Sequence, residues 1–498
     1  MRPLIWFRND LRIADNPALA AASASADAGC VAVFLHSPHQ WQSHDWGAPK
    51  VDFILRQVAA LAQSLSKLNI PLQVIAAPRF ADAPAALLAL AKQERCDLLA
   101  INREYEVNEL ARDAAVAAAF TRESIDVKAF HDQTILPPDA LRTGSGQFYR
   151  VFTPFKNAWM AAVKDRLPIP LCPKPKPQTP STRRETAGGP GGWPEAMNQG
   201  AFITVKPVGA AARPCHTEVE LQRIATLWPA GEAEAHRRLR HFTQSRIRDY
   251  KTNRDFPALP GTSALSPYLS AGVLSPRQCL LAALDANDNR FDSGNIGITT
   301  WISELIWREF YRHVMLGFPR VCKHLPFRSE TRRIKWSTDD AAFNAWATGR
   351  TGVPIVDAAQ RQLLATGWMH NRLRMITAMF LTKDLFIDWR RGERFFMQHL
   401  VDADLAQNNG GWQWSASTGT DAAPYFRIFN PLSQSRRFDP QGAFIRQYCP
   451  ELRNLDDDNI HDPSGLPPLT RATLDYPQPI ADHKAARDRA IAAFKSLP

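Results

Sequence analysis

At 498 residues, with 45% hydrophobic and 22% charged side chains, the chain is long enough for more than one buried core and too apolar for disorder. Its formal net charge of +11 favours a polyanionic partner, nucleic acid first, with a merely basic soluble protein as the alternative. Seven scattered cysteines without a CxxC pair exclude a zinc ribbon or a disulfide scaffold and fit a reducing compartment.

The N-terminal MRPLIWFRNDLR carries charge where a signal peptide needs an apolar core. No segment approaches the roughly 20 apolar residues of a membrane span. Both features imply a cytoplasmic protein. Short apolar runs at Leu4–Phe7, Val31–Leu35, Leu72–Ile75 and Leu98–Ile101 predict strands, and residues 51–68, 85–93 and 109–120 carry apolar residues at helical spacing. Strand and helix in alternation predict a parallel sheet with helices on both faces. Neither GxGxxG nor GxxxxGK[ST] follows the first strand, so no dinucleotide fingerprint or P-loop is supported.

From about Leu136 to Pro214 the chain is Pro- and Gly-rich, as in PKPKPQTPSTRR and GGPGGWP, which predicts a long linker. VFTPFKNAW within it reads as one helical piece. After His216 the patterns are helical, most clearly at 301–315, 357–364, 369–381 and 393–400. The expected organisation is an α/β domain over 1–130, a linker over 131–215 and an all-helical domain over 216–498.

Trp301, Glu304, Trp307, Arg308 and Tyr311 fall along one broad face of the 301–315 helix. Indole, carboxyl, guanidinium and phenol together suit a pocket that stacks on a base and bonds its edge. A surface helix with a Glu304–Arg308 pair is the plain alternative. Asp402 and Asp404 could enter one pocket to bind imide-type N–H groups, or one of them caps a helix. Asn408-Asn409-Gly410-Gly411 favours a turn or a close approach of backbone to a ligand. Thr262, Ser263 and Ser266 offer hydroxyls to a phosphate, or cap a helix. Asn371 sits beside Trp368, and Arg372, Arg374, Arg427, Arg436 and Arg437 add positive charge near the run up to Phe429, as on a phosphate-tracking surface with stacking platforms. His399 has no second histidine at ligand spacing, so no metal is expected.

WFRNDLRIADNPAL, YEVNELAR, GTSALS, WISELIWREFYRH, LVDADLAQNNGGWQW and TLDYPQPIADHKAAR occur in this order along the chain. Together they closely resemble the photolyase/cryptochrome family, and more narrowly its class I cyclobutane pyrimidine dimer photolyases of the bacterial folate type. The resemblance implies a Rossmann-like α/β domain before a helical FAD domain, and light-driven repair of pyrimidine dimers in DNA by a cytoplasmic monomer. It places Tyr250, Thr262, Ser263, Leu265 and Ser266 at the FAD phosphates and ribityl chain. Trp301, Arg308, Arg374, Asp402, Ala403 and Asp404 would line or support its rings, with Asn408 at the flavin N5. Ala264 departs from the arginine that relatives often carry.

On the substrate side, Trp307 and Trp414 resemble the aromatic walls around the dimer, Glu304 and Asn371 its polar readers, and Met375 the residue beneath. Arg254, Tyr311, Arg372 and Gln434 would touch DNA. Trp412, Trp389 and Trp336 match an electron-hopping chain, in order from flavin to surface. His44, Asn108, Glu109, Cys322 and Lys323 match an antenna site for 5,10-methenyltetrahydrofolate, with a deazaflavin or an empty site as alternatives. The sequence MHNRLRM lacks the histidine pair of six–four photolyases. A blue-light receptor without repair activity is the runner-up, and a flavin-free DNA-binding protein the second.

Overall fold

The computed structural model describes residues 1–179 and 216–497. The expected Pro- and Gly-rich stretch between 180 and 215 lies outside them. Strands β1 (Pro3–Phe7), β2 (Val31–His36), β3 (Leu72–Ala76), β4 (Leu98–Asn102) and β5 (Asp126–Phe130) form one parallel sheet in the order β3-β2-β1-β4-β5. Leu4 pairs with Val31 on one side and Leu99 on the other. The three central strands are buried throughout, which is why they read as unbroken apolar runs. The edge strand β5, DVKAF, is half exposed, and its alternation is too short and polar to stand out in the sequence.

Helices α1 (Pro17–Ala24), α2 (Ala48–Ser66), α3 (Ala83–Glu94) and α4 (Val107–Arg122) flank the sheet. Both α2 and α3 start two to three residues before the apolar pattern does, each with a proline in its first turn, where the missing N–H costs nothing. Leu4, Trp6, Val31 and Leu99 pack on Leu87, Val116 and Phe120 on one face. On the other face Ile5, Phe7 and Ala32 share a core with Phe53 and Val58 of α2, and that core continues without a break into Tyr268, Trp301 and Ile306.

The helical part contains α5 (Phe152–Lys164), α6 (Ile296–Gly317), α7 (Pro354–Thr366), α8 (Asn371–Met379), α9 (Trp389–His399), α10 (Leu405–Ala416), α11 (Pro431–Phe438) and α12 (His483–Lys495), among others. α6 begins five residues earlier than the expected 301, at the Asn295 cap, whose side chain accepts from the Gly297 and Ile298 N–H groups. The expected helix over 369–381 is shorter: His370 caps α8, and a π-turn at Phe380–Asp384 follows it. Asn408 to Gly411 form no turn; they lie inside α10.

The linker crosses α6, where Glu309 accepts from the Leu136 N–H at 3.4 Å and the Trp159 indole at 2.7 Å. Among the described residues no helix is long and apolar enough to cross a membrane, and no cluster of potential metal ligands occurs.

Candidate functional site

α6, α8 and α10 enclose a cavity of about 360 Å³. Glu304, Trp307, Arg308 and Tyr311 from α6, Asn371, Arg374 and Met375 from α8, and Asn408, Gly411, Trp412 and Trp414 from α10 all line it, with Arg254 at its side. Trp307 lies flat on Phe152 of α5, ring centres 3.6 Å apart, so the VFTPFKNAW helix backs this wall.

The two glycines of α10 have different tasks. A Cβ at Gly410 would sit 2.2 Å from the Tyr311 ring, so α6 and α10 meet there. A Cβ at Gly411 would meet nothing within 4 Å, which leaves the helix surface open to the cavity. The Asn408 amide nitrogen donates to the Glu393 carbonyl at 2.8 Å, fixing the plane of a side chain that is only 9% exposed. Trp412 lines the cavity, and its buried indole N–H has no protein acceptor.

Glu304 forms an ion pair with Arg254 at 2.5 Å. The helical Glu304–Arg308 pair does not form, because Arg308 donates to the Gln133 and Leu269 carbonyls. Nor is Glu304 an isolated acid against indole, since a guanidinium faces it. Asp402 and Asp404 diverge. Asp402 takes both oxygens to Arg374, at 2.8 and 3.0 Å. Asp404 caps α10 and pairs with Arg312 at 2.5 Å. Burial opposes its charge, yet Arg312 and Arg308 hold it down to about 2.

Trp301 is buried behind the lining, 5.2 Å from Phe242. Tyr250, also buried, and Thr262, Ser263, Ala264, Leu265 and Ser266 lie outside the lining of this cavity. Ala264 takes a left-handed φ of +51°, and Ser266 accepts from the Trp368 indole at 3.2 Å. Arg372 pairs with Asp255 at 2.8 Å. Gln434, on α11, has a buried amide oxygen with no protein donor. Trp412 and Trp389 are buried and Trp336 partly so, all in one core. Trp346, which no sequence argument singled out, lies edge-on to Trp412 at 6.0 Å.

A second cavity, of about 420 Å³, opens between the sheet domain and the helical domain. His44, Asn108, Glu109, Cys322 and Lys323 all line it, although about 280 residues of chain separate the first from the last. Glu109 is pushed up to about 8, first by burial and then by Glu106 and Glu104. Burial takes His44 down to about 4. Burial therefore favours the neutral form of both partners in their 3.5 Å contact. Lys50, Trp46 and Glu106 complete the wall. The sequence pattern missed Lys50 because the helix was started at Val51; the signal was a lysine on the same stripe as Phe53 and Ile54.

Residues 3–178 match the family model described as DNA photolyase, and residues 301–496 the model described as FAD binding domain of DNA photolyase. The chain belongs to the DNA photolyase family. It is 45% identical over 498 residues to the deoxyribodipyrimidine photo-lyase of Salmonella typhimurium, covering 99% of this chain and 98% of that one. The protein of the same name in Escherichia coli is 43% identical, with the same two shares covered. Among solved structures, a bacterial class III photolyase from Agrobacterium tumefaciens superposes with a TM-score of 0.85 at 34% identity, covering 99% of this chain and 97% of that one. The photolyase fold thus unites the two cavities, one within the FAD-binding region and one at its junction with the sheet.

Proposed function

We propose that this photolyase splits cyclobutane pyrimidine dimers in DNA, using light absorbed by FAD held in the cavity between α6, α8 and α10. The observation that carries the reading is convergence: three tryptophans, a carboxylate, two asparagines and a methionine from three helices face one space of about 360 Å³. The residues suit FAD. The cavity is flanked by the bare backbone of Gly411, the Trp412 ring and the Arg374–Asp402 pair. When bound, FAD supplies the light absorption and the electron for ring opening, and the protein supplies position.

Arg374, Asp402, Ala403, Asp404, Arg308 and Trp301 would support its rings, Asn408 the flavin edge, and Tyr250, Thr262, Ser263, Ala264, Leu265 and Ser266 the phosphate end. Arg254, Tyr311, Arg372 and Gln434 would hold the DNA strand through charge and hydrogen bonds, with an affinity that falls as salt rises. Extruding the lesion costs a few kcal/mol, least for bases already poorly stacked, and Trp307 and Trp414 replace the stacking lost. Asn371 and Glu304 would hydrogen-bond the dimer over Met375. Once Arg254 turns to a phosphate, Glu304 loses its partner and is free to bond the lesion. Trp336, Trp389 and Trp412, from surface inward, would relay an electron to the cavity.

The interface cavity would hold 5,10-methenyltetrahydrofolate as antenna. A neutral Glu109 both donates and accepts, as a pterin edge requires, and Lys323 suits a glutamyl carboxylate. The crevice at the carboxyl ends of β1, β2 and β4, where parallel sheets commonly bind nucleotides, retains only about 40 Å³ between Trp6, Arg8, Trp41, Phe80 and Arg112. That plug favours the interface cavity as the antenna site. We further propose that the chain divides near residues 130 and 216 and works as a cytoplasmic monomer. FAD-loaded, reduced protein illuminated with ultraviolet-damaged oligothymidylate tests the reading. Light-dependent recovery of the thymine absorbance is expected, and no recovery above the dark control contradicts it.

A further inference from the structure

Asp402, Ala403 and Asp404 form the partition between the two cavities. Asp402 pairs with Arg374, which lines the FAD cavity, and Asp404 lines the interface cavity. Lys50 reaches this partition from the sheet domain. It is 4% exposed, its ammonium donates to the Ala403 carbonyl, and it stands 3.9 Å from the Trp46 ring centre. Gly47 permits the approach: a Cβ there would lie 1.7 Å from the Gln398 carbonyl oxygen. The start of α2 therefore rests directly on the end of α9.

We propose that Lys50 is a positioning residue for the FAD cavity, holding the Ala403 carbonyl toward the sheet domain and so setting the backbone that carries Asp402 and Asp404. The proposal rests on reading the α6–α8–α10 cavity as the FAD site. Because a peptide is planar and trans, fixing the Ala403 carbonyl also points the Asp404 N–H the opposite way, away from the sheet domain. The Asp402–Arg374 pair begins one residue earlier, so a shift of this peptide is felt at the cavity wall.

The grip depends on charge. Asp404, Glu106, Glu104 and Asp402 attract the ammonium, while burial outweighs them and lowers Lys50 to about 8. His44, neutral at pH 7, and Glu109 border the same cavity, and Arg312 occupies the other side of Asp404. Lys50 is thus charged below about pH 8 and neutral above it. FAD affinity is expected to be flat below that value and to fall above it.

The test titrates the full-length apoprotein with FAD, followed by flavin fluorescence, at a neutral and a basic pH. It uses the native chain, Lys50→Met and Lys50→Arg. Lys50→Met is expected to bind FAD roughly tenfold more weakly at neutral pH, as for one lost charged hydrogen bond. Lys50→Arg should stay within about threefold and keep its affinity at basic pH, because guanidinium does not release its proton there. Glu109 titrates alike in both chains, so the native-versus-arginine comparison isolates Lys50. A Met variant that binds FAD as tightly as the native chain overturns the proposal. Should Lys50→Met not fold, the same fall of affinity with pH in the native and arginine chains overturns it, and a fall in the native chain alone supports it. If the native chain takes up no FAD, the cavity reading itself fails and this proposal with it.

Discussion

Glu304 serves two partners in turn. In the free protein it neutralises Arg254, and in the proposed complex both groups have better use, the guanidinium on a phosphate and the carboxyl on the lesion. Replacing Glu304 by Gln keeps the shape and removes the charge. The expected result is a repair yield per absorbed photon lowered about three- to tenfold, in line with one weakened hydrogen bond, at unchanged FAD content. Photon-counted repair of a dimer-containing oligonucleotide measures it; an unaltered yield removes Glu304 from the chemistry. The partners of such residues were the least legible part of the sequence. Spacing placed Glu304, Trp307, Arg308 and Tyr311 on one cavity-facing stripe, because helical period is local. It offered Arg308 as the partner of Glu304, whereas the structure supplies Arg254 from 50 residues earlier. Asp402 and Asp404 read as sharing one pocket or as including one cap; Asp404 is that cap, and the turn between α9 and α10 sends the two to arginines on different helices.

The α10 helix shows how an element can hide in composition. Asn-Asn-Gly-Gly reads as a turn because each residue is a poor helix former. Tertiary contacts override that preference: Gly410 seats the Tyr311 ring, and Asn409 is held by the Glu393 carboxylate at 2.8 Å. Gly410→Ala should therefore destabilise the protein by about 1–3 kcal/mol through overpacking, read as a lower urea midpoint. Gly411→Ala has open space and gains roughly 1 kcal/mol of helix propensity, yet it narrows the cavity. Its expected signature is an equal or higher urea midpoint with weaker FAD binding. Equal effects of the two substitutions on stability would refute the division of tasks. Strands β1, β2 and β4 were legible as fully buried apolar runs, whereas β5 was not, because its apolar face is only Val127 and Ala129, alternating with the charged Asp126 and Lys128.

Across the whole molecule, the sheet and helical parts are joined by charge buried in their seam. Arg277 bonds Asp15 at 2.9 Å and Asp132 at 2.7 Å, and Arg12 bonds Asp132 at 3.0 Å, all nearly excluded from water. Removing one member leaves the others uncompensated, so Asp132→Asn is expected to lose about 3–5 kcal/mol in chemical unfolding. Asp132 and Asp404 both have folded values below the ordinary carboxylate range, each held there by arginines against the effect of burial. The contribution of Asp404 is complete above about pH 4 and is lost as pH falls toward 2, and Asp132 acts in the same direction, so unfolding midpoints should drop across that window. Glu309, raised to about 7 by burial, acts in the opposite sense and trims stability as pH rises from about 4.5 toward 7. None of this seam was visible in sequence, since Asp132 lies 120 residues from Arg12 and 145 from Arg277.

The central claim is that FAD and an extruded dimer share one cavity, close enough for an electron to pass. Fluorescence of reduced, FAD-loaded protein tests it most directly. Dimer-containing DNA should quench the flavin emission, undamaged DNA of the same sequence should not, and emission should return as light consumes the lesion. Equal quenching by both DNAs, or none by either, would contradict the account.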